Sequence, residues 1–284
     1  MKQVVSIQSH VSYGYVGNRA AVFPLQRLGI DVSAVNTVQF SNHTGYGAWR
    51  VNIHSKEHIK ELLLGLDEVG ALESVDGILS GYIGDAHLGR VIHKFVKEQK
   101  QRHPGLFYCC DPVIGDVGRG TYVKPGVGEF FRDELISLAD LITPNVFELE
   151  YLSGRKVNSL LDVLAACDRL RKQPEQAICV TSVQHDGYES ISLLMDTAEG
   201  SWLVKTPCFS FDVAPNGGGD LTASLLLGRY LLQHSFAEVV QLTAASVYKV
   251  FAATFAEDSR EIQLIRVQDE LVEPTIKFEL EKIR

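Results

Sequence analysis

Basic residues are in short supply in this 284-residue chain: 27 Lys and Arg stand against 35 Asp and Glu, a net charge of −8. That balance argues against a nucleic-acid groove or an anionic membrane surface as partner, while leaving room for a local basic pocket. Cysteine is sparse and unpatterned. The five (Cys109, Cys110, Cys167, Cys179, Cys208) form an odd set without a Cys-x-x-Cys pair, which favours buried thiols in a reducing compartment over a disulfide framework or a zinc site. The opening Met1-Lys2-Gln3-Val4-Val5-Ser6-Ile7 has no signal-type apolar run, and no apolar segment is read as approaching the roughly 20 residues that cross a bilayer. The expectation is a soluble, cytoplasmic protein. Also missing are a Walker A sequence, a Gly-x-Gly-x-x-Gly turn after a strand, and the Asp-Phe-Gly and catalytic-loop set of protein kinases. His54 and His58 are four residues apart but lack a neighbouring Glu and a third ligand, so they read as a solvated helix face.

No Pro/Ser-rich linker, repeat or low-complexity tract divides the chain, so residues 1–284 are read as one domain. What is present is alternation. Short β-type runs (Val4–Ile7, Val32–Val38, Gly77–Leu79, Leu106–Cys110, Leu141–Ile142, Ala177–Thr181) are interleaved with helical patterns (Arg19–Leu28, Lys56–Leu66, Leu88–Lys100, from about Asn145, Ser159–Lys172, from about Asp220, and Phe236–Phe255). This order predicts an α/β fold with a mostly parallel sheet covered by helices on both faces. In such sheets ligands bind outside the carboxyl ends of the strands, so the strand-to-loop junctions are the places to search.

The strongest candidate is Asn216-Gly217-Gly218-Gly219-Asp220, which leads into the helix-forming Leu221–Leu227. Free backbone N–H groups at a helix N-terminus attract an anion, and the adjacent carboxylate suits transfer of a phosphoryl group to a hydroxyl. The same residues also suit a plain glycine loop and an Asp cap. Company decides between the two. Asp111 ends a central strand and continues through Asp116 into a glycine-rich loop with Tyr122 that could serve as a lid. Thr143-Pro144-Asn145-Val146-Phe147-Glu148 places an acid at a further junction, although Asn145 and Glu148 also have capping-box spacing. Asp111, Glu148 and Asp220 all follow strands expected to point to one edge, which suggests magnesium–nucleotide chemistry. Ser9 and His10 after the first strand and Gln39–Gly47 after the second, including His43, add polar and aromatic groups.

These residues resemble the pyridoxal kinases of the ribokinase-like superfamily, through nearly the whole chain. The resemblance is carried by Gln8-Ser9-His10-Val11, Asn36–Thr44, Ser80-Gly81-Tyr82, Cys110-Asp111-Pro112-Val113, Thr143–Glu148, Gly217–Asp220 and Val267-Gln268-Asp269. The Asn36–Thr44 segment is the specific part, whereas the glycine–Asp motif marks only the superfamily.

The resemblance implies a three-layer ribokinase-like fold, a homodimer, and phosphorylation of the 5′-hydroxyl of vitamin B6 vitamers in salvage of pyridoxal 5′-phosphate, with ATP and Mg²⁺. It assigns Ser9, Val16, His43, Thr44, Gly45 and Tyr82 to the vitamer. Asp111, Asp116, Thr143, Glu148, Thr181, Ser182, Thr206, Pro207, Cys208 and Phe209 are assigned to ATP. It gives Asp111, Asn145 and Glu148 to the metal, Tyr122 to the lid, and Gly217, Gly218, Gly219 and Asp220 to catalysis, with Asp220 as base and also against the substrate. The requirement for a monovalent cation stays open. A hydroxymethylpyrimidine kinase of the same superfamily and a non-catalytic vitamer binder are the two rivals. Gly218 departs from the Thr or Val common in relatives, which removes a hydroxyl and predicts a more mobile empty loop.

Overall fold

The computed structural model describes residues 1–184 and 190–284. In chain order the elements are β1 (Gln3–Val11), α1 (Asn18–Arg27), β2 (Asp31–Phe40), β3 (Val51–Ile53), α2 (Lys56–Glu68), β4 (Gly77–Ser80), α3 (Ala86–Arg102) and β5 (Phe107–Cys110). A short hairpin follows, β6 (Gly115–Asp116) and β7 (Gly120–Thr121), then α4 (Val127–Asp133), β8 (Leu141–Ile142), α5 (Val146–Ser153), α6 (Leu160–Leu170) and β9 (Ala177–Val183). The chain continues with β10 (Ser190–Thr197), β11 (Gly200–Pro207), α7 (Gly218–Leu231), α8 (Phe236–Ala256) and β12 (Glu281–Lys282).

Among the described residues, one sheet of ten strands in the order β12-β11-β10-β9-β8-β5-β4-β1-β2-β3 forms the middle layer. Its centre, from β9 to β2, is parallel. Both flanks are antiparallel. Successive strand residues point to opposite faces, and the apolar residues obey that alternation. Val5, Ile7, Ile78, Tyr108, Ile142 and Ile178 pack with α2 to α6. Val4, Leu79, Cys109, Leu141, Ala177 and Cys179 pack with α1, α7 and α8. Hydrophobic strands buried on both faces are what a parallel sheet between two helix layers requires.

Three expectations need correction. Helix α7 begins at Gly218, two residues before the predicted Asp220, with Gly217 as its left-handed N-cap; low glycine propensity hid the first turn. His54 lies outside α2, because Ser55 caps that helix on the His58 N–H, so the two histidines do not share a helix face. Helix α8 has 21 residues and contains an 18-residue stretch of mean hydropathy 1.4, enough by length and composition to cross a membrane. Its apolar character is used against the sheet, where Val239, Val240 and Ala244 enter the core.

Candidate active site

The glycine run is shaped by close packing. Gly217 has φ +91°, and a Cβ there would lie 1.9 Å from the Tyr15 carbonyl oxygen, so only glycine fits. Gly218 and Gly219 form the first turn of α7, where backbone N–H groups have no partner within the helix. At Gly218 a Cβ would meet the Phe251 ring at 2.9 Å; the glycine therefore also serves packing. Asp220 follows one residue later, and its carboxylate accepts the Gly17 backbone N–H. Gly17 reaches it because its own left-handed turn, φ +55°, presses onto Ser9, whose oxygens would lie 2.1 and 2.5 Å from a Cβ. Burial pushes the Asp220 carboxyl up to about 6, against the pull of its backbone donors.

Across from it stand Asp111 and Glu148. Asp111, buried at the end of β5, accepts the Thr143 hydroxyl at 3.0 Å, and its Oδ2 lies 3.9 Å from the Cβ position of Gly219. The glycine run and the β5 carboxylate thus share one small space. Asn145 caps α5 on the Glu148 N–H at 2.9 Å, while Glu148 returns by accepting the Asn145 N–H at 2.9 Å and the Ile114 N–H at 2.9 Å. Asn145 also donates to the Gly115 carbonyl at 2.8 Å. The capping box is real, and it holds the Glu148 carboxylate against the Ile114 and Asn145 N–H groups. Burial raises both carboxyls well above their ordinary range; for Asp111 the neighbouring Glu148 and Asp220 add to it. Two buried acids held at such cost fit a cation that takes one or two carboxylates and completes its shell with water and phosphate. Among the described residues no group of three or more Cys, His, Asp or Glu forms a dedicated metal cage.

The other wall carries the predicted vitamer residues. His43 Nδ1 accepts the Gly45 N–H at 3.1 Å, which leaves Nε2 to carry the proton of a neutral ring. Burial lowers its pKa, and the nearby Arg119 lowers it further. Thr44 opens the 3-10 turn that follows. Ser9 sits in β1 at an irregularity of the β1–β2 register. Val16 precedes Gly17 in the β1–α1 loop, and Tyr82 follows Gly81, which packs tightly on Gln8.

Asp116 closes the β6–β7 hairpin by accepting the Val117 N–H at 2.7 Å. Tyr122 just beyond it has its phenol pKa raised by partial burial and by the nearby Glu148, Asp111, Asp116 and Asp220. Thr181 bridges to Asn145, and Ser182 holds a left-handed φ of +58°, an uncommon strain for a non-glycine residue. Thr206 and Pro207 end β11; Cys208 and Phe209 follow. The Phe209 ring packs on Tyr248 and Phe211, and Phe211 on Phe251, linking this segment to the back of the glycine run. Sequence reasoning missed three polar residues here. Arg119 donates to Asn216 Oδ1 at 3.1 Å, tying the β6–β7 hairpin to the glycine run, and Arg260 and Glu261 reach Gly45 and Tyr46 from the far end of the chain.

The sequence model described as phosphomethylpyrimidine kinase matches residues 32–261. The pyridoxal kinase PdxY of Rubrobacter xylanophilus is 47% identical over 283 residues, covering 99% of this chain and 97% of that protein. PdxY of Deinococcus radiodurans is 43% identical over 288 residues, with the same coverage of 99% and 97%. Among solved structures, pyridoxal kinase from Leishmania donovani in complex with ADP and pyridoxamine superposes with a TM-score of 0.91 at 29% identity, over 100% of both chains. The Trypanosoma brucei pyridoxal kinase gives 0.88 at 30% identity, over 99% of both. Fold and site define the class, an ATP-dependent small-molecule kinase with a ribokinase-like fold. Within that class, the chain belongs to the pyridoxal kinase family.

Proposed function

We propose that the chain transfers the γ-phosphoryl group of ATP to the 5′-hydroxyl of pyridoxal, giving pyridoxal 5′-phosphate and ADP in vitamin B6 salvage, with pyridoxine and pyridoxamine as further substrates. The observation that carries this is the placement of the Asp220 carboxylate in the first turn of α7, directly after the glycine run and facing Asp111. The vitamer lies between Ser9, Val16, His43, Thr44, Gly45 and Tyr82. ATP lies along Asp111, Asp116, Thr143, Glu148, Thr181, Ser182 and Thr206–Phe209, under the Tyr122 lid. Bound Mg²⁺ supplies neutralising charge to the phosphates; Asp111 and Glu148 would hold it, with Asn145 orienting Glu148. The Gly218 and Gly219 N–H groups stabilise charge on the moving phosphoryl group. As the new O–P bond forms and the bond to ADP breaks, Asp220 takes the hydroxyl proton. A carboxyl near 6 remains far more acidic than an alcohol, so the proton moves with the bond rather than before it.

The dimer is part of the proposal: edge strand β3 is exposed throughout, with Trp49 beside it and Val51 and Ile53 facing outward. A cytoplasmic location fits the acidic composition and free thiols. Initial rates with Mg-ATP and each vitamer, in competition with a hydroxymethylpyrimidine, test the substrate. Preference for the pyrimidine would move the chain to its nearest rival, and vitamer binding without ATP consumption would make it a binder.

A further inference from the structure

The segment after α8 enters the site from about forty residues beyond the glycine run, and one side chain there touches two of the loops assigned to the vitamer, β1–α1 and β2–β3. Glu261 Oε2 accepts the Tyr15 backbone N–H at 2.9 Å, and Oε1 accepts the Tyr46 hydroxyl at 2.7 Å. Its backbone forms a parallel bridge with Asn216, the residue before the glycine run. Gly14 makes room: a Cβ there would lie 2.4–2.7 Å from the carboxylate atoms. Arg260 adds a second tie, donating to the Gly45 carbonyl at 3.0 Å with its guanidinium 4.2 Å from the Tyr46 ring centroid.

We infer that Glu261 is a positioning residue for phosphoryl transfer, its carboxylate holding the Tyr15 peptide and the Tyr46 phenol so that the vitamer loops stay in register with the glycine run. The inference rests on the kinase reading above. Tyr15 is confined on both sides: its N–H is held by Glu261, and its carbonyl packs closely against Gly217, where a Cβ would lie 1.9 Å from the oxygen. Val16 and Gly17 follow directly, the first on the vitamer side and the second donating to Asp220. Tyr46 ends the turn that contains Thr44 and Gly45. Glu261 itself is fixed before any ligand arrives. Its N–H donates to Ser259 Oγ at 3.1 Å, its carbonyl accepts from Ser259 at 2.9 Å and Gln263 at 2.9 Å, and the next residue, Ile262, is fully buried. A rigid acceptor at that point joins two separate loops into one wall, which is preorganisation in the sense that governs both binding and rate.

The test is a kinetic split in the full-length enzyme. Glu261→Ala is expected to raise KM for pyridoxal about tenfold or more and to lower kcat, since two charge-assisted bonds go, while KM for Mg-ATP changes by about twofold at most. Glu261→Gln, whose amide oxygen can accept from Tyr15 and whose amide nitrogen can donate to the Tyr46 oxygen, should recover most of the loss. Tyr46→Phe, which removes one bond and keeps the ring, should raise the pyridoxal KM about threefold even if the alanine variant fails to fold. Equal changes in both KM values, no change for pyridoxal, or no recovery by Gln overturns the inference. Calorimetric titration of pyridoxal and of Mg-ATP reads the same split without turnover, so a wild-type protein that binds both but transfers nothing sinks the kinase reading alone. Failure of the wild type to bind pyridoxal sinks both.

Discussion

The proposed mechanism gives Asp220 two roles that pull against each other, and both can be measured. As the proton acceptor it must be ionised, so kcat should fall as pH drops through about 6, with an acidic limb that disappears in Asp220→Asn. That variant should lose about a thousandfold in kcat while retaining ATP and vitamer binding; near-normal turnover would remove the base role. Stability runs the other way. The folded-state pKa is raised from 3.8 to about 6, so the native state binds the proton more tightly than the unfolded chain. The stabilisation from protonating Asp220 is complete below 3.8 and is lost as pH rises through about 6. Ligand-free Asp220→Asn should therefore melt higher than wild type at pH 8, with the gap closing towards pH 4; an equal Tm at both pH values would refute the burial argument. Thr143 gives a cleaner test of the metal. Its hydroxyl orients Asp111 at 3.0 Å, so Thr143→Val should raise the Mg²⁺ concentration for half-maximal rate about tenfold without abolishing transfer.

At the scale of elements, the N-terminus of α7 depends on one backbone conformation. Gly217→Ala must place a side chain at φ +91° and 1.9 Å from the Tyr15 carbonyl, so either the cap or the β1–α1 loop moves. A loss of about 2–3 kcal/mol in denaturant unfolding is expected, together with a kcat loss beyond tenfold at saturating substrates. Wild-type kinetics in that variant would show that the cap is not part of the anion site. This element was half legible from sequence: the glycine–Asp spacing announced it, but its true start was obscured by three glycines that are poor helix formers. The central strands were legible because each is a short apolar run followed by a helical period. The hairpin β10–β11 and the edge strands β3 and β12 passed unnoticed. Their pairing is antiparallel, and β3 and β12 are only three and two residues long, too short to carry a period. Asp111, Glu148 and Asp220 were visible because each sits beside a turn or cap signal. Arg260 and Glu261 were not, since their partners Gly45 and Tyr46 lie 215 residues away and no local pattern encodes that distance.

For the whole molecule, the parallel centre of the sheet directs β1, β4, β5 and β8 to deliver their carboxyl ends to one rim, which is why residues from Ser9 to Glu261 can meet there. The antiparallel flanks do a different job. On one side β10 and β11 carry Thr206 and Pro207 to the rim; on the other, β3 ends the sheet with an unpaired edge. An exposed strand with outward Val51 and Ile53 invites edge pairing unless another surface covers it. The same strand is separated by four residues from the turn that ends at Tyr46, so a second copy seated on it would brace the proposed vitamer wall from outside. Val51→Lys combined with Ile53→Lys places two like charges on the edge of each copy. In sedimentation velocity the wild type should run as a dimer and the doubly substituted protein as a monomer. Because the edge and the vitamer turn are continuous in the chain, that monomer should show a raised pyridoxal KM with an unaltered Mg-ATP KM; a dimer that survives both lysines would place the interface elsewhere.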